Sequence, residues 1–181
     1  MSIITEFFRR PLMTGAVAPS SRRPAYAMTE GIGLEQARTV AELGPGTRVF
    51  TDAIVARLAS DARLVAVELN PVLAARPTAT RRDTRLTAVQ GSAAERAAAV
   101  VSGLPWTVIP QNQRGYILDA VTEVFAPGGR FTTFAYLHAA WTPPARQLTA
   151  EPARRFNRLE RSKTVWANLP PAFVHRATQR P

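Results

Sequence analysis

Val40-Ala41-Glu42-Leu43-Gly44-Pro45-Gly46-Thr47 is the stretch on which the reading of this chain turns. A short apolar run ends in an acid, a Gly-Pro-Gly turn follows, and a helix-compatible segment runs from Val49 to Leu58. Strand, tight turn and helix start, in that order, bring a nucleotide-like ligand against a helix N-terminus. Gly44 and Gly46 carry no side chain to obstruct a ligand, and glycine accepts the positive φ that such turns need. A second apolar run, Leu64-Val65-Ala66-Val67-Glu68, also ends in an acid, 22 residues beyond Gly46. In dinucleotide-binding folds an acid about 20 residues past the turn takes the ribose hydroxyls. Together the two runs point to a nucleoside-containing cofactor.

Outward from this stretch the chain alternates. Strand 40–44, helix 48–59 and strand 64–68 are followed by a helix opening at Asn70-Pro71, where proline suits an early helical position. Leu86 to Val89 reads as a third strand, Gly91-Ser92 and a short Ala-rich run come next, and Val100-Val101-Ser102 closes a fourth. Residues 111–125 suit a helix stopped by Pro127-Gly128-Gly129, and Arg130 to Tyr136 alternates as a fifth strand. Residues 145–162 suit a further helix. Lys163 to Trp166 and Ala172 to His175 read as a hairpin around Asn168-Leu169-Pro170-Pro171. Such alternation predicts an α/β fold: a Rossmann-like, doubly wound, mostly parallel sheet with a C-terminal antiparallel hairpin, its ligands at the carboxyl ends of the strands.

Upstream, Ile3, Ile4, Phe7 and Phe8 share one helical face beside Arg9 and Arg10, a pattern that fits either a flap over the domain or a membrane-surface helix. The small-residue loop Gly15 to Ser21 precedes a helix over Arg23 to Ile32, with Ser20 or Ser21 as its cap. We therefore expect one domain over residues 1–181, with 1–35 an amphipathic helix and cofactor-covering segment. The 181 residues suffice for one core. No cysteine is present, which excludes disulfides, thiolate metal sites and a cysteine nucleophile, and two histidines, His138 and His175, argue against a multi-histidine metal centre. No apolar run reaches spanning length and no signal peptide pattern appears, so the expected localisation is cytoplasmic. A net charge of +10 favours anionic partners, although Lys163 is the sole lysine among 23 basic residues and an arginine skew with abundant alanine and proline is also what a GC-rich genome produces.

The motifs resemble a known family. Glu42-Leu43-Gly44-Pro45-Gly46-Thr47 is similar to the first motif of class I methyltransferases, which use S-adenosyl-L-methionine (SAM). A nicotinamide site more often shows G-x-G-x-x-G, and position 49 here is valine. Together with Phe7-Phe8, Gly15 to Ser21, Glu68-Leu69-Asn70-Pro71, Gly91-Ser92, Ser102-Gly103-Leu104-Pro105-Trp106, Phe131 to Tyr136 and Trp166 to Ala172, it resembles the bacterial phospholipid N-methyltransferases, similar in core to the ribosomal RNA adenine dimethyltransferases. The resemblance runs nearly end to end and implies methylation of a phosphatidylethanolamine-type amine. Two departures stand out: Arg48, where many relatives have a third glycine, and a short segment after Gly91.

The implied cofactor-binding residues are Ser20, Ser21, Glu42, Gly44, Gly46, Thr47, Glu68, Leu69, Gly91, Ser92 and Ser102. Glu68 would take the ribose hydroxyls, Glu42 would orient the turn or meet the methionine ammonium, and Leu69 and Gly91-Ser92 would border the adenine. On the acceptor side the turn after strand four sets Ser102 to hydrogen-bond the amine and Trp106 to stack over the developing cation, while Tyr136 or His138 assists removal of the amine proton. Each also has a plainer role, Tyr136 in the core and His138 at the surface. The partners expected are a phospholipid or small-molecule amine, with peripheral contact to an anionic membrane. A nucleic acid is disfavoured by the lack of a separate basic RNA-binding domain. The competing readings are methylation of a soluble small molecule and a non-methylating protein that kept the fold.

Overall fold

Short apolar strands separated by helical segments cannot pair through hairpins, so they pair in parallel by crossovers. The computed structural model, which describes residues 22–46, 48–67, 83–89, 96–143, 145, 152 and 154–179, shows this arrangement. The strands are β1 (Thr39–Leu43), β2 (Arg63–Val67), β3 (Leu86–Val89), β4 (Ala97–Ser102), β5 (Phe125–Tyr136), β6 (Phe156–Arg161) and β7 (Ala172–Gln179), and the helices are α1 (Arg22–Thr29), α2 (Val49–Val55) and α3 (Gln111–Glu123). One seven-stranded sheet runs in the order β3-β2-β1-β4-β5-β7-β6. β1 to β5 are parallel, and β7 lies antiparallel between β5 and β6. This is the α/β Rossmann-like fold expected, with its antiparallel C-terminal strands.

A parallel sheet is covered on both faces, so alternate residues of a strand feed two cores. On one face Val40, Leu64, Ala99, Val101 and Val174 meet Ala25 and Met28 of α1 and Phe50 and Ile54 of α2. On the other, Ala41, Val100, Phe131 and Ala177 meet Leu118 and Val121 of α3 together with Trp106, Phe125 and Phe156. Phe131 stacks on Phe156 at 5.5 Å between centroids and takes the edge of Trp106 at 6.0 Å. Burying each such ring contributes about 1.5–3 kcal/mol.

Two expectations are corrected. The helix expected over 145–162 does not run that far: residues 154 and 155 are helical, but Phe156 to Arg161 is strand β6. Phe156 and Leu159, three apart, mimic a helical period. The outer edge of β7 supplies hydrogen-bonding partners that override it, and Phe156 and Leu159 join the Phe131 core. The hairpin is therefore real but longer, with β6 and β7 as its arms and only the bridge Val165–Ala172 in the expected first arm. Strand β5 also begins at Phe125 rather than Arg130. Its pairing with β4 jumps from Ala97–Phe125 to Ala99–Arg130, so Pro127-Gly128-Gly129 makes a bulge rather than a break. A Cβ on Gly129 would lie 2.5 Å from the Phe125 ring, and the bulge closes over that ring only because position 129 is glycine.

Candidate functional site: a glycine turn and a line of aromatic rings

The carboxyl ends of β1 and β4 meet at two glycines. Leu43 pairs with Ser102, and the chain leaves β1 through Gly44 at φ +70° and Gly46 at φ +46°. Gly44 donates its N–H to the Val67 carbonyl at 3.0 Å, and Gly103 donates to the Leu43 carbonyl at 2.8 Å. A Cβ on Gly103 would lie 2.8 Å from the Gly44 carbonyl oxygen and 3.2 Å from the Phe50 ring. The two turns are thus packed backbone to backbone. Among the described residues beyond its chain neighbours, the nearest heavy atom to a Cβ on Gly46 would be the Gly44 carbonyl oxygen, 3.8 Å away.

Glu42 is fully buried, and its Oε2 accepts a hydrogen bond from Thr51 Oγ1 at 2.7 Å. An acid inside the sheet edge thus ties β1 to α2 across the turn between them. Thr51 was not legible as a site residue: no local pattern marks a threonine nine positions after the acid. Arg48 explains its own oddity. It adopts φ +68°, the left-handed region where glycine is strain-free and other residues cost about 1 kcal/mol or more. The Arg48 backbone bridges the turn, its N–H donating to Pro45 and its carbonyl accepting from Asp52.

On the acceptor side the placement differs from expectation for two residues. Ser102 is fully buried, and its hydroxyl accepts from the Trp106 indole N–H at 3.0 Å and the Leu104 N–H at 3.4 Å. Trp106 is 2% exposed, with its ring in the Phe131 core. Both shape the turn from within, and neither presents its side chain to an acceptor. The segment turns inward because the indole N–H needs a buried partner and Ser102, four residues back, supplies one.

Tyr136 and His138 do come together, stacked at 5.6 Å and 18°. They continue a line of rings that starts beside the glycine turn: Phe50 packs on Phe134 at 5.5 Å, and Phe134 meets Tyr136 edge-on at 5.4 Å. Phe50 and Phe134 are site features that sequence reasoning missed, since each reads as an ordinary core residue. Tyr136 is half-buried, and desolvation raises its phenol above the usual range. His138 is exposed at the end of the line. Ser20, Ser21, Thr47, Glu68, Leu69, Gly91 and Ser92 lie outside the described residues, as do the segment 1–21 and the short stretch after Gly91. Among the described residues no group of His, Asp or Glu is placed to hold a metal ion, and no helix is long and apolar enough to cross a membrane.

The fold recurs in solved methyltransferases. The N-methyltransferase NodS of Bradyrhizobium japonicum WM9, in complex with S-adenosyl-L-homocysteine (SAH), superposes with a TM-score of 0.67 at 15% identity, covering 88% of this chain and 86% of that one. The O-methyltransferase TomG of Streptomyces achromogenes, in complex with SAM, gives 0.69 at 14% identity over 98% and 86%. No protein-family profile matches the chain. In sequence it is 33% identical over 138 residues to the ornithine lipid N-methyltransferase of Singulisphaera acidiphila, covering 70% of this chain and 72% of that protein. None of these is a ribosomal RNA adenine dimethyltransferase, and that side of the resemblance gains no support. The relatives are methyltransferases, and the protein is an enzyme of that kind. The complexes with SAH and SAM are in accord with S-adenosyl-L-methionine as the cofactor. With a relative at this identity over more than two thirds of both chains, the protein belongs to the SAM-dependent methyltransferases, in the family of that lipid N-methyltransferase.

Proposed function

We propose that the chain methylates the amine of a phospholipid-type headgroup, phosphatidylethanolamine-like, as a single domain working at the cytoplasmic membrane surface. The observation that carries this reading is the line of rings from the glycine turn to His138, joined to the similarity to an ornithine lipid N-methyltransferase. When bound, SAM supplies a methyl group on a cationic sulfur, activated for in-line displacement. The protein's task is then to position and desolvate the acceptor.

In this reading Glu42, Gly44, Gly46 and Thr47 form the cradle for the methionine portion, and Glu68, Leu69, Gly91 and Ser92 take the ribose and adenine. Ser20 and Ser21 cover the cofactor from upstream. Ser102 acts by holding the turn, through Trp106, rather than by touching the amine. The ring faces of Phe134 and Tyr136 favour cationic groups in a water-poor setting. An amine must lose a proton before attack. Tyr136, a phenol neutral at pH 7 and further disfavoured from ionising by desolvation, donates or orients rather than acting as the base. In this reading His138, exposed and stacked on it, accepts that proton.

The experiment is transfer of labelled methyl from SAM to phosphatidylethanolamine in mixed detergent micelles, compared with soluble ethanolamine phosphate. The expected outcome is label in the lipid, with His138→Gln lowering turnover about 100-fold while SAH affinity holds. Label only in soluble amines would replace the lipid reading by a small-molecule one. That alternative draws on the similarity in fold to TomG, which is involved in tomaymycin synthesis.

A further inference from the structure

Among the described residues the exposed large apolar side chains are Tyr26, Tyr116, Trp141, Trp166 and Leu169, and the last three lie near one another. Trp141 is 77% exposed, Trp166 72% and Leu169 84%. All three lie in the two loops beyond the carboxyl end of β5. Tyr136, the last residue of β5, pairs with Ala172, the first of β7, and Leu137 donates its N–H to the Pro171 carbonyl at 2.8 Å, so the two loops adjoin. They extend past the edge on which Gly44, Gly103 and His138 lie.

Both loops are built to hold these side chains outward. In the second, Asn168 is 5% exposed and donates from Nδ2 to the Pro170 carbonyl, while Val165 and Ala172 exchange backbone hydrogen bonds. The inward anchor fixes the flanking Trp166 and Leu169 in solvent. In the first, the Thr142 N–H and hydroxyl both donate to the Ala139 carbonyl, closing the turn that carries Trp141. Neither 137–142 nor 162–171 contains an acid; Lys163 is basic and exposed, and Arg161, at the end of β6, is exposed with its guanidinium over the Phe173 ring at 3.8 Å. Single exposed apolar residues need no explanation, but two tryptophans and a leucine on adjoining loops, beside cations and in a chain of net charge +10, match the headgroup region of a bilayer.

We propose that these loops form a membrane-docking rim in which Trp141, Trp166 and Leu169 enter the interface of an anionic bilayer while Arg161 and Lys163 face its phosphates. The proposal rests on the lipid-amine reading for its purpose. It places the acceptor end of the ring line against the membrane, so that a headgroup reaches His138 with its acyl chains still in the bilayer.

The test uses the full chain without SAM, and vesicles of phosphatidylcholine with or without phosphatidylglycerol. Trp141 and Trp166 are exposed and Trp106 is buried, so intrinsic fluorescence reports the rim. Emission is expected to shift to the blue with anionic vesicles, less so at high salt. Trp141→Phe and Trp166→Phe should each remove part of the shift. The triple variant W141S/W166S/L169S is expected to lower vesicle partitioning at least about tenfold. Tyr116→Ser, at an 81% exposed position on α3, should leave it unchanged. Wild type that does not bind vesicles, a triple variant that binds as wild type does, or a blue shift that grows with protein concentration in the absence of lipid would each overturn the proposal, the last in favour of a second copy on the rim. Micellar methyl transfer separates the two readings: activity there without vesicle docking removes the rim and leaves the lipid-amine function standing.

Discussion

The glycine turn between β1 and α2 and the loops beyond β5 and β6 lie along the same edge of one sheet, yet they are held by opposite means. At the turn everything faces inward: a buried carboxyl bonded to a buried hydroxyl, and two glycines whose missing side chains let backbones touch. Beyond β5 the backbone bonds close small turns and send rings outward, from half-buried Tyr136 to exposed His138, Trp141 and Trp166. The first region is suited to one invariant ligand portion that must always sit in the same place. The second is suited to an acceptor that arrives from outside and differs between relatives. On the proposed function the inward turn meets the cofactor and the outward rings meet the acceptor.

The largest expected effect sharpens this contrast through acidity. His175 on β7 lies across from Thr133 of β5 and Arg161 of β6, is 8% exposed, and is pushed down to about 4 by desolvation and then by Arg161. Its folded pKa lies below the unfolded value of about 6.5, so the unfolded chain takes the proton first. Stability is therefore full above about pH 6.5 and falls by about 3 kcal/mol as pH drops towards 4. Urea unfolding from pH 7 to 4 checks this, and His175→Gln should flatten the slope. An unchanged slope would move the acid sensitivity elsewhere.

Next comes Gly103→Ala, whose Cβ must displace the Gly44 carbonyl and the Phe50 ring, neither of which is a flexible chain end. A cost of about 2–3 kcal/mol is expected, with SAH affinity reduced more than the loss of folded protein explains. Wild-type affinity would show that the two turns need not touch. Thr51→Val removes one hydrogen bond from buried Glu42 and should cost about 1.5 kcal/mol by thermal unfolding. The smallest effect is a gain: Arg48→Gly relieves the left-handed backbone and should stabilise by about 1 kcal/mol. A loss there would mean that the Arg48 side chain contributes more than its backbone costs.

The same division explains what could be read from sequence. Strands β1 to β4 and the turn at Gly44 to Gly46 follow from local apolar runs and backbone chemistry, which neighbours do not alter. The turn after β4 was legible as a turn, but its inward pointing was not, because Trp106 is buried through a contact with Phe131, a residue 25 positions away. β6 was hidden for a similar reason: Phe156 and Leu159 take their strand form from β7, not from their own spacing. Arg48 stood out only as a departure from a resemblance, and its meaning lies in a φ angle that no composition shows. The line from Phe50 to Tyr136 joins residues 86 positions apart and has no local sign at all.

The most direct test of this division is a calorimetric titration with SAH of wild type, Glu68→Ala and Tyr136→Ala. Micromolar binding by wild type, at least about tenfold weaker in Glu68→Ala and unchanged in Tyr136→Ala, is the result expected if cofactor and acceptor are held by separate regions. Tyr136→Ala weakening SAH as much as Glu68→Ala does, or Glu68→Ala binding as wild type, would contradict it.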